Sequence, residues 1–403
     1  MRIFIEPTEP LLFRTGRPFA AGIHNFAESL FPPTPETLQG AVRAMIAATW
    51  GQNQHPAITH PYELFQQKEL VTLIGERTSE GETYGRFRVT GLTLGWRASS
   101  EPHVAVARLF PAPAYLIRAK IKDAQQQVHD HIVRLSLTTL QNDEESNLPE
   151  GCTALLMPEL QGQTIVEKAE PLNGWLTARG LRAALGGEVV QSTMDELHTY
   201  EQVYERESRL GIGMDNETKN TKEGYLYQAQ MIRMRPGYGF VVDIAFGERN
   251  NGTSKMPVKE PLEARPSALR FLQEGWLILG GEQRAARFTI LDQEDNPADE
   301  IDQSNSGRLL YFATPAYFKR GWLPEMPGLF PIPPVTAAIN RYQPIGGWYL
   351  DARNAGGESK QIHRCIPAGS VYFFDQSINI THAVTEYGWQ IGYGITYTGE
   401  WKA

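Results

Sequence analysis

The sequence contains few cysteines, no long apolar segment and no excess of positive charge. Its two cysteines, Cys152 and Cys365, are too few for a disulfide scaffold or for a structural zinc site made of thiolates. No run of about twenty apolar residues occurs, and the N-terminus lacks the apolar core of a signal peptide. We therefore expect a soluble, cytoplasmic protein with no membrane partner.

The charge balance restricts how the chain can bind nucleic acid. Its 38 Lys and Arg residues stand against 46 Asp and Glu residues, which gives a net charge of -8. Because affinity for a polyanion comes from clustered cations, any contact with nucleic acid must be local. The sequence also lacks a phosphate-binding Gly-Lys-Ser/Thr loop, a His-Glu-x-x-His helix and a Gly-Gly-Asp-Asp motif, so ATP use, zinc hydrolysis and nucleotide polymerisation are not indicated.

The most informative motif lies near the N-terminus. Arg14 and Arg17 flank Gly16 at the end of a predicted strand, and Phe19 follows. The arginines can make charge-assisted hydrogen bonds to phosphate, the glycine lets the backbone approach it, and Phe19 can stack on a base. The alternative is that both arginines form ordinary surface ion pairs and that Phe19 is buried.

A helix is predicted directly after this segment. Thr34 has the residue type of an N-cap, Pro35 suits the first helical position, and apolar residues recur at helical spacing from Leu38 to Ile46. The start of a helix presents free backbone N–H groups. Together with the arginines, it predicts a surface that binds phosphate.

A long β-hairpin is predicted over residues 210–244, with a polar tip at 215–224. At the tip, Lys219 and Lys222 could contact phosphates, while Asn216 and Thr218 could contact sugar or base edges. A solvated tip is the alternative, because three acidic residues nearly neutralise it. Four arginines flank the hairpin, either as a phosphate track or as ordinary exposed charges: Arg206, Arg209, Arg233 and Arg235.

The remaining pattern predicts an α+β fold. Residues 250–267 are rich in Gly, Pro and charge, which suggests a boundary between a domain at 1–249 and a domain at 250–403. Each half alternates strands with a few helices, as in ferredoxin-like (RRM-like) folds. Residues 292–307 are acidic and polar and predict a loop. Further helices are predicted at residues 174–185, 268–273 and 316–319, and a last strand at 392–398.

Several motifs together resemble a known family. These are residues 14–19, 29–40, 211–215 with 222–227, 279–282 and 321–324, followed by the glycine-rich stretch at 392–401. In this order they resemble the third subunit of the Cmr module, the type III-B CRISPR effector complex, whose subunits are RAMP (repeat-associated mysterious) proteins. The resemblance covers essentially the whole chain.

The resemblance implies a non-catalytic subunit without cofactors, made of two tandem ferredoxin-like RAMP domains with loop insertions and a protruding hairpin. It would cap the 5′ handle of the guide RNA in an antiviral ribonucleoprotein complex. Its other partners would be the large polymerase-like Cas subunit and the neighbouring RAMP backbone subunits. The hairpin would be the thumb-like element that presses on the guide RNA.

Three further features leave alternatives open. The backbone of Gly392, Tyr393 and Gly394 could form an anion-binding nest that contacts RNA, or it could form only a tight turn. Because some RAMP proteins are metal-independent ribonucleases, His24 could be a general base, but an RNA contact or packing role is favoured. His129 and His131 would share one face of a strand, but no third metal ligand is apparent. A protein-only assembly scaffold is the remaining possibility.

Overall fold

The computed structural model shows a mixed fold with many strands and few helices. It describes residues 1–15, 26–58, 61–78, 81–98, 105–122, 126–139, 152–160, 163–188, 196–215, 217–218, 220–247, 269, 272–291, 301, 306–351 and 354–401. The described helices are α1 (Pro35–Gln54), α2 (Pro61–Leu64), α3 (Lys68–Ile74), α4 (Ala178–Leu185), α5 (Tyr200–Val203) and a 3-10 turn at Trp389–Ile391.

Strands account for most of the described secondary structure. The first sixteen are β1 (Arg2–Pro7), β2 (Phe26–Ala27), β3 (Arg77–Thr78), β4 (Gly81–Glu82), β5 (Phe87–Trp96), β6 (Ala107–Pro111), β7 (Leu116–Lys122), β8 (Val128–Thr139), β9 (Ala154–Pro158), β10 (Thr164–Ile165), β11 (Glu170–Pro171), β12 (Trp175–Thr177), β13 (Leu197–His198), β14 (Tyr204–Met214), β15 (Thr221–Met234) and β16 (Tyr238–Phe246). The later strands are β17 (Glu274–Ile278), β18 (Ala285–Leu291), β19 (Ser306–Phe312), β20 (Ala316–Tyr317), β21 (Thr336–Ala338), β22 (Gln343–Ile345), β23 (Trp348–Asp351), β24 (Asn354–Ser359), β25 (His363–Ile366), β26 (Val371–Asn379) and β27 (Thr396–Gly399).

The largest described sheet is antiparallel, with the strand order β13, β12, β6, β5, β16, β1, β18, β17. Smaller sheets are formed by β10, β7, β8 and β9 with β11 beside β7, by β21, β26, β19 and β27, and by β20, β25 and β22. The hairpin strands β14 and β15 pair with each other, and β2 runs parallel to β15. β3 pairs with β4, and β23 with β24.

Helix α1 forms where the sequence predicts it. The Thr34 side chain accepts a hydrogen bond from the Thr37 amide at 3.4 Å, and Pro35 is the first helical residue. Leu38, Val42 and Ile46 are buried on one face, where they pack with residues of the largest sheet in the same core. Burial of this apolar face, rather than intrinsic helix propensity, stabilises the helix.

A second core joins the two halves of the sequence. Phe110, Tyr115 and Leu181 pack with Tyr311 and Phe373 in one buried cluster. Strands β17 and β18, which follow residue 250, extend the largest sheet, since β18 pairs with β1 and β17 pairs with β18. The proposed boundary segment at 250–267 lies outside the described residues. The pair of ferredoxin-like domains stays a prediction.

The observed hairpin differs from the predicted one. It begins at Tyr204 instead of residue 210, and its second strand starts at Thr221, so the tip is shorter than predicted. The return strand ends at Met234 because a turn at residues 235–238, with Gly237 at a φ of +81°, redirects the chain. Residues 238–244 belong to β16 in the middle of the largest sheet, so the predicted hairpin end at 244 is wrong.

Three other local predictions need correction. The helix predicted at 174–185 begins only at Ala178, because residues 175–177 pair with β6 as strand β12. The helix predicted at 316–319 is wrong, since Ala316 and Tyr317 pair with β25 as a short strand. The strand predicted at 392–398 begins only at Thr396. Of the helix predicted at 268–273, only parts are described.

One substitution in α1 should stabilise the fold. Gly40 is an exposed position inside the helix, and an added Cβ would meet no atom within 4 Å. Gly40→Ala should therefore raise the free energy of unfolding by about 0.5–1 kcal/mol, because alanine loses less backbone entropy in a helix. Urea unfolding followed by circular dichroism would measure this gain, and an unchanged or lower midpoint would contradict it.

Candidate nucleic-acid interface

One face of the hairpin sheet is apolar and open to solvent. Ile212 lies opposite Leu226 in the register, and Leu210 lies opposite Gln228, which is itself beside Phe26 on β2. Directly opposed residues on neighbouring strands point to the same side of a sheet. Leu210 is 74% exposed, and Ile212, Leu226 and Phe26 are 50–52% exposed. We call these four residues the apolar hairpin face.

An apolar surface of this kind is unusual on a projecting pair of strands. Isolated exposed apolar residues are common, but several adjacent ones on one face indicate a binding surface. Met214, two residues beyond Ile212 and past an irregularity in the strand pairing, is also exposed. The alternation of Leu210, Ile212 and Met214 along β14 is the sequence signal for this face. The sequence-based prediction, which concerned the polar tip and the arginines, did not include it.

The four predicted arginines lie on this hairpin or at its end, and glutamates neighbour all of them. Arg209 and Arg233 both bind Glu207, at 2.7 Å and 2.6 Å. Arg235 lies 3.1 Å from Glu205, and Arg206 binds Gln230 and lies 3.8 Å from Glu28. Hydrogen bonds from Arg209 and Arg233 lower the pKa of the Glu207 carboxyl.

These ion pairs are weak enough to be exchanged for another anion. The arginine side chains of the four pairs are 41–47% exposed. Exposed pairs of this kind contribute on the order of 0–1 kcal/mol each, because water screens them. A phosphate group could therefore compete with the glutamates for the guanidinium groups.

The tip of the hairpin is held by its own aspartate. Asp215 Oδ1 accepts hydrogen bonds from the Glu217 amide at 3.0 Å, the Thr218 amide at 2.9 Å and the Thr218 hydroxyl at 3.1 Å. These bonds lower the pKa of the Asp215 carboxyl, and they occupy the Thr218 groups that were predicted to contact RNA. Asn216 and Lys219 lie outside the described residues. Lys222 is described only by its backbone, in β15.

The N-terminal motif is attached to the same hairpin. Leu11 and Ile232 exchange backbone hydrogen bonds of 2.8 Å, so the segment that leads to Arg14 runs beside the base of β15. Arg14 is exposed, and its backbone forms an isolated antiparallel β-bridge with the backbone of Ser29. On the other side of the motif, β2 pairs with β15. Four predicted site residues of the motif, Gly16, Arg17, Phe19 and His24, lie outside the described residues.

The glycine-rich stretch near the C-terminus is buried. The amides of Gly392, Tyr393 and Gly394 donate to the carbonyls of Trp389, Gly388 and Pro315. Gly392 and Gly394 have φ values of +100° and +68°, which glycine adopts without steric cost. Because the three N–H groups already have acceptors inside the chain, the geometry supports the tight turn rather than an anion-binding nest.

The start of α1 is likewise occupied from within the chain. Glu36 in its first turn accepts a hydrogen bond from the Tyr387 hydroxyl at 2.7 Å. A carboxylate at this position already complements the helix dipole. The helix start therefore links the N-terminal motif to the C-terminal part of the chain, and its chemistry does not favour an added phosphate.

The histidine pair lies as the sequence predicts. His129 and His131 share one exposed face of β8, with ring centroids 6.2 Å apart. Within the described part of the chain, no group of three or more His, Cys, Asp or Glu side chains is placed to hold a metal ion. Gly280 and Gly281, a pair that is more typical of a hairpin turn than of a ligand loop, lie in the turn that joins the paired strands β17 and β18.

The sequence matches the family of the CRISPR-associated protein (Cas_Cmr3) over residues 3–401. The chain belongs to this family. The resemblance that the ordered motifs carry is thereby confirmed, and Cas_Cmr3 membership makes the chain a component of the type III-B CRISPR effector machinery. No curated protein matches the sequence.

Solved structures provide distant likenesses. They include chains of the type III-B Cmr-beta bound to cognate target RNA, with and without AMPPnP. Each is 16% identical, with 93% of this chain and 86% of that chain covered and a TM-score of 0.45. A chain of the Cmr-beta apo state is 13% identical, and the match covers 72% of this chain and 97% of that chain with a TM-score of 0.29. No helix in the described ranges is long and apolar enough to cross a membrane.

Proposed function

We propose that this chain is the non-catalytic RNA-binding subunit that caps the 5′ handle of the guide RNA in the cytoplasmic type III-B effector, which acts in antiviral defence. It bridges to the large polymerase-like subunit and to the neighbouring RAMP backbone subunits. The observation that carries the proposal is the apolar hairpin face, which shares its side of the hairpin with Arg206, while the register places Arg209 and Arg233 on the other side.

The two parts of this surface have complementary roles. Exposed Leu and Ile side chains can enter between bases and unstack them, while Arg206 on the same side and the arginines on the other side of the hairpin bind phosphates of the strand that passes around it. The glutamates keep the arginines paired until a phosphate replaces them, so the surface discriminates against weakly held anions. Local binding of this kind agrees with a net charge of -8, which disfavours broad electrostatic attachment.

Photocrosslinking in the assembled complex tests this function. The complex is purified with its guide RNA and the large subunit, and crosslinks from handle nucleotides are mapped to residues. We expect crosslinks to β14, β15 and the segment around Arg14. Stable assembly without a crosslink to this chain would leave a protein-only scaffold as the function.

The N-terminal arginines provide a quantitative test. Arg14→Ala combined with Arg17→Ala should weaken handle binding by about 1–3 kcal/mol, the contribution of a hydrogen bond to a charged group. The dependence of log affinity on log salt should also become shallower, by about 0.7 for each phosphate that the variant no longer neutralises. Measurement is by fluorescence anisotropy at several salt concentrations. Unchanged affinity and slope would remove the motif from the RNA-binding surface.

The non-catalytic part of the proposal has its own test. Purified chain incubated with repeat RNA should leave the RNA intact. Cleavage that disappears in His24→Ala, with RNA binding retained, would establish the ribonuclease alternative in which His24 is the general base.

A further inference from the structure

A second surface with an exposed aromatic ring lies on the small sheet of β20, β25 and β22. Ile345 and Cys365 are buried, so one face of this sheet packs inward. Pro344 lies opposite Arg364 in the register, and both are exposed on the outer face. Tyr342, two residues before Pro344, is 50% exposed. The outer face therefore presents an aromatic ring to solvent beside an arginine.

The arginine lies against the ring. The guanidinium carbon of Arg364 is 5.6 Å from the centroid of Tyr342, which is within cation–π distance. Arg341, the neighbour of Tyr342, is also exposed. A guanidinium on an aromatic face keeps its donors free to reach an anion, because the ring occupies its plane and not its N–H groups.

The charge of this surface differs from that of the hairpin. The four hairpin arginines all have glutamate neighbours, whereas Arg341 and Arg364 form no ion pair with any described residue. In a chain of net charge -8, two cations that have no ion-pair partner among the described residues form a local positive site beside an open ring. Such a site is complementary to an anion that also carries a flat apolar group.

We propose that Tyr342, Arg364 and Arg341 bind a single-stranded segment of RNA, and that an unpaired base stacks on the Tyr342 ring. Arg364 continues the stack and contacts a phosphate, and Arg341 contacts the next phosphate along the strand. Stacking on an aromatic ring with a cation beside it is how single strands are bound without sequence preference. RNA as the ligand class rests on the proposed function, but the residues and the stacking are independent of the hairpin.

The open ring favours RNA over an acidic peptide. An acidic peptide would pair with the arginines but would leave the tyrosine face in water. A nucleotide uses both features at once, because its base covers the ring while its phosphate reaches the guanidinium. The two ligands therefore predict different results when only the ring is removed.

The test measures binding of fluorescein-labelled oligoadenylate of about twelve nucleotides to the full chain by anisotropy. Heparin, a polyanion without bases, and octaglutamate serve as competitors. Tyr342→Ala should weaken RNA binding by about tenfold to a hundredfold, while the competitors' affinities stay unchanged. Tyr342→Phe, which keeps the ring, should bind RNA like the unchanged chain. Arg364→Ala should weaken RNA and heparin alike.

Each result separates this inference from the function it rests on. If the chain binds RNA and Tyr342→Ala has no effect, including in a chain whose hairpin face carries Leu210→Asp and Ile212→Asp, the stacking site is wrong and the handle-binding function stands. If Tyr342→Ala weakens octaglutamate as much as RNA, the surface binds acidic protein instead. If the unchanged chain binds no RNA, both proposals fail. Because Tyr342 is half exposed, its variants should keep the thermal midpoint.

Discussion

Gly394→Ala should destabilise the protein by about 2–5 kcal/mol. Gly394 has a φ of +68°, and a Cβ at this position would lie 2.5 Å from the carbonyl oxygen of Val384. Left-handed backbone strain in a residue other than glycine costs on the order of 1–2 kcal/mol, and overpacking against a fixed neighbour costs about a further 1–3 kcal/mol. The contacted atom belongs to the backbone, so no change of side-chain rotamer can relieve the clash. Urea unfolding would measure the loss.

Gly321→Ala is the matched control. Gly321 also has a positive φ, +83°, but an added Cβ there meets no atom within 4 Å. It should show only the left-handed strain, about 1–2 kcal/mol. Equal losses in the two variants would mean that close packing does not explain why a glycine occupies position 394. Retained RNA binding by folded Gly394→Ala would further support a structural role for this glycine-rich turn.

Local features of the fold were accessible from the sequence because they depend on neighbouring residues. The start of α1 follows from Thr34 and Pro35, whose capping and φ preferences act within one turn. The turn at Gly280 follows for the same reason. These signals need no knowledge of which strands meet.

Strand partnership was not accessible in the same way. The sequence pattern places residues 238–244 in the hairpin, because the pairing of β16 with β1 and β5 depends on contacts across more than one hundred residues. The turn at Pro236 and Gly237 could have indicated that the hairpin ends there. The short strand at Ala316 is likewise fixed by its partner Ile366 and not by its own propensity.

The sequence predicts the charged residues of the candidate site but not its apolar residues. The arginines of the hairpin are visible in the sequence, whereas their pairing with Glu205 and Glu207 requires the register of β14 and β15. The exposure of Leu210 and Ile212 cannot be predicted from the sequence either, because alternating apolar residues ordinarily predict a buried face. Only the absence of a covering element among the described residues reveals it.

Leu210→Asp combined with Ile212→Asp should abolish the insertion of the hairpin into RNA. Both side chains are exposed, so the substitutions remove little buried area and should change the unfolding free energy by less than about 0.5 kcal/mol for each site. Two carboxylates on the apolar hairpin face would repel phosphates and cannot pack against bases. Handle binding should weaken at least about tenfold, which corresponds to about 1.4 kcal/mol.

Ile278→Asp provides the control for this effect. Ile278 is 51% exposed, like Ile212, but lies on the edge strand β17 of the largest sheet. It adds one carboxylate, half the charge of the hairpin pair, to a surface that has no part in the proposed RNA contact, so handle affinity should stay within about twofold of the unchanged chain, a difference of about 0.4 kcal/mol. If Ile278→Asp weakens binding as much as the hairpin pair does, general repulsion explains the loss. If neither variant weakens binding, the apolar hairpin face contacts another protein subunit instead, because its exposed Leu and Ile side chains still require a partner that excludes water.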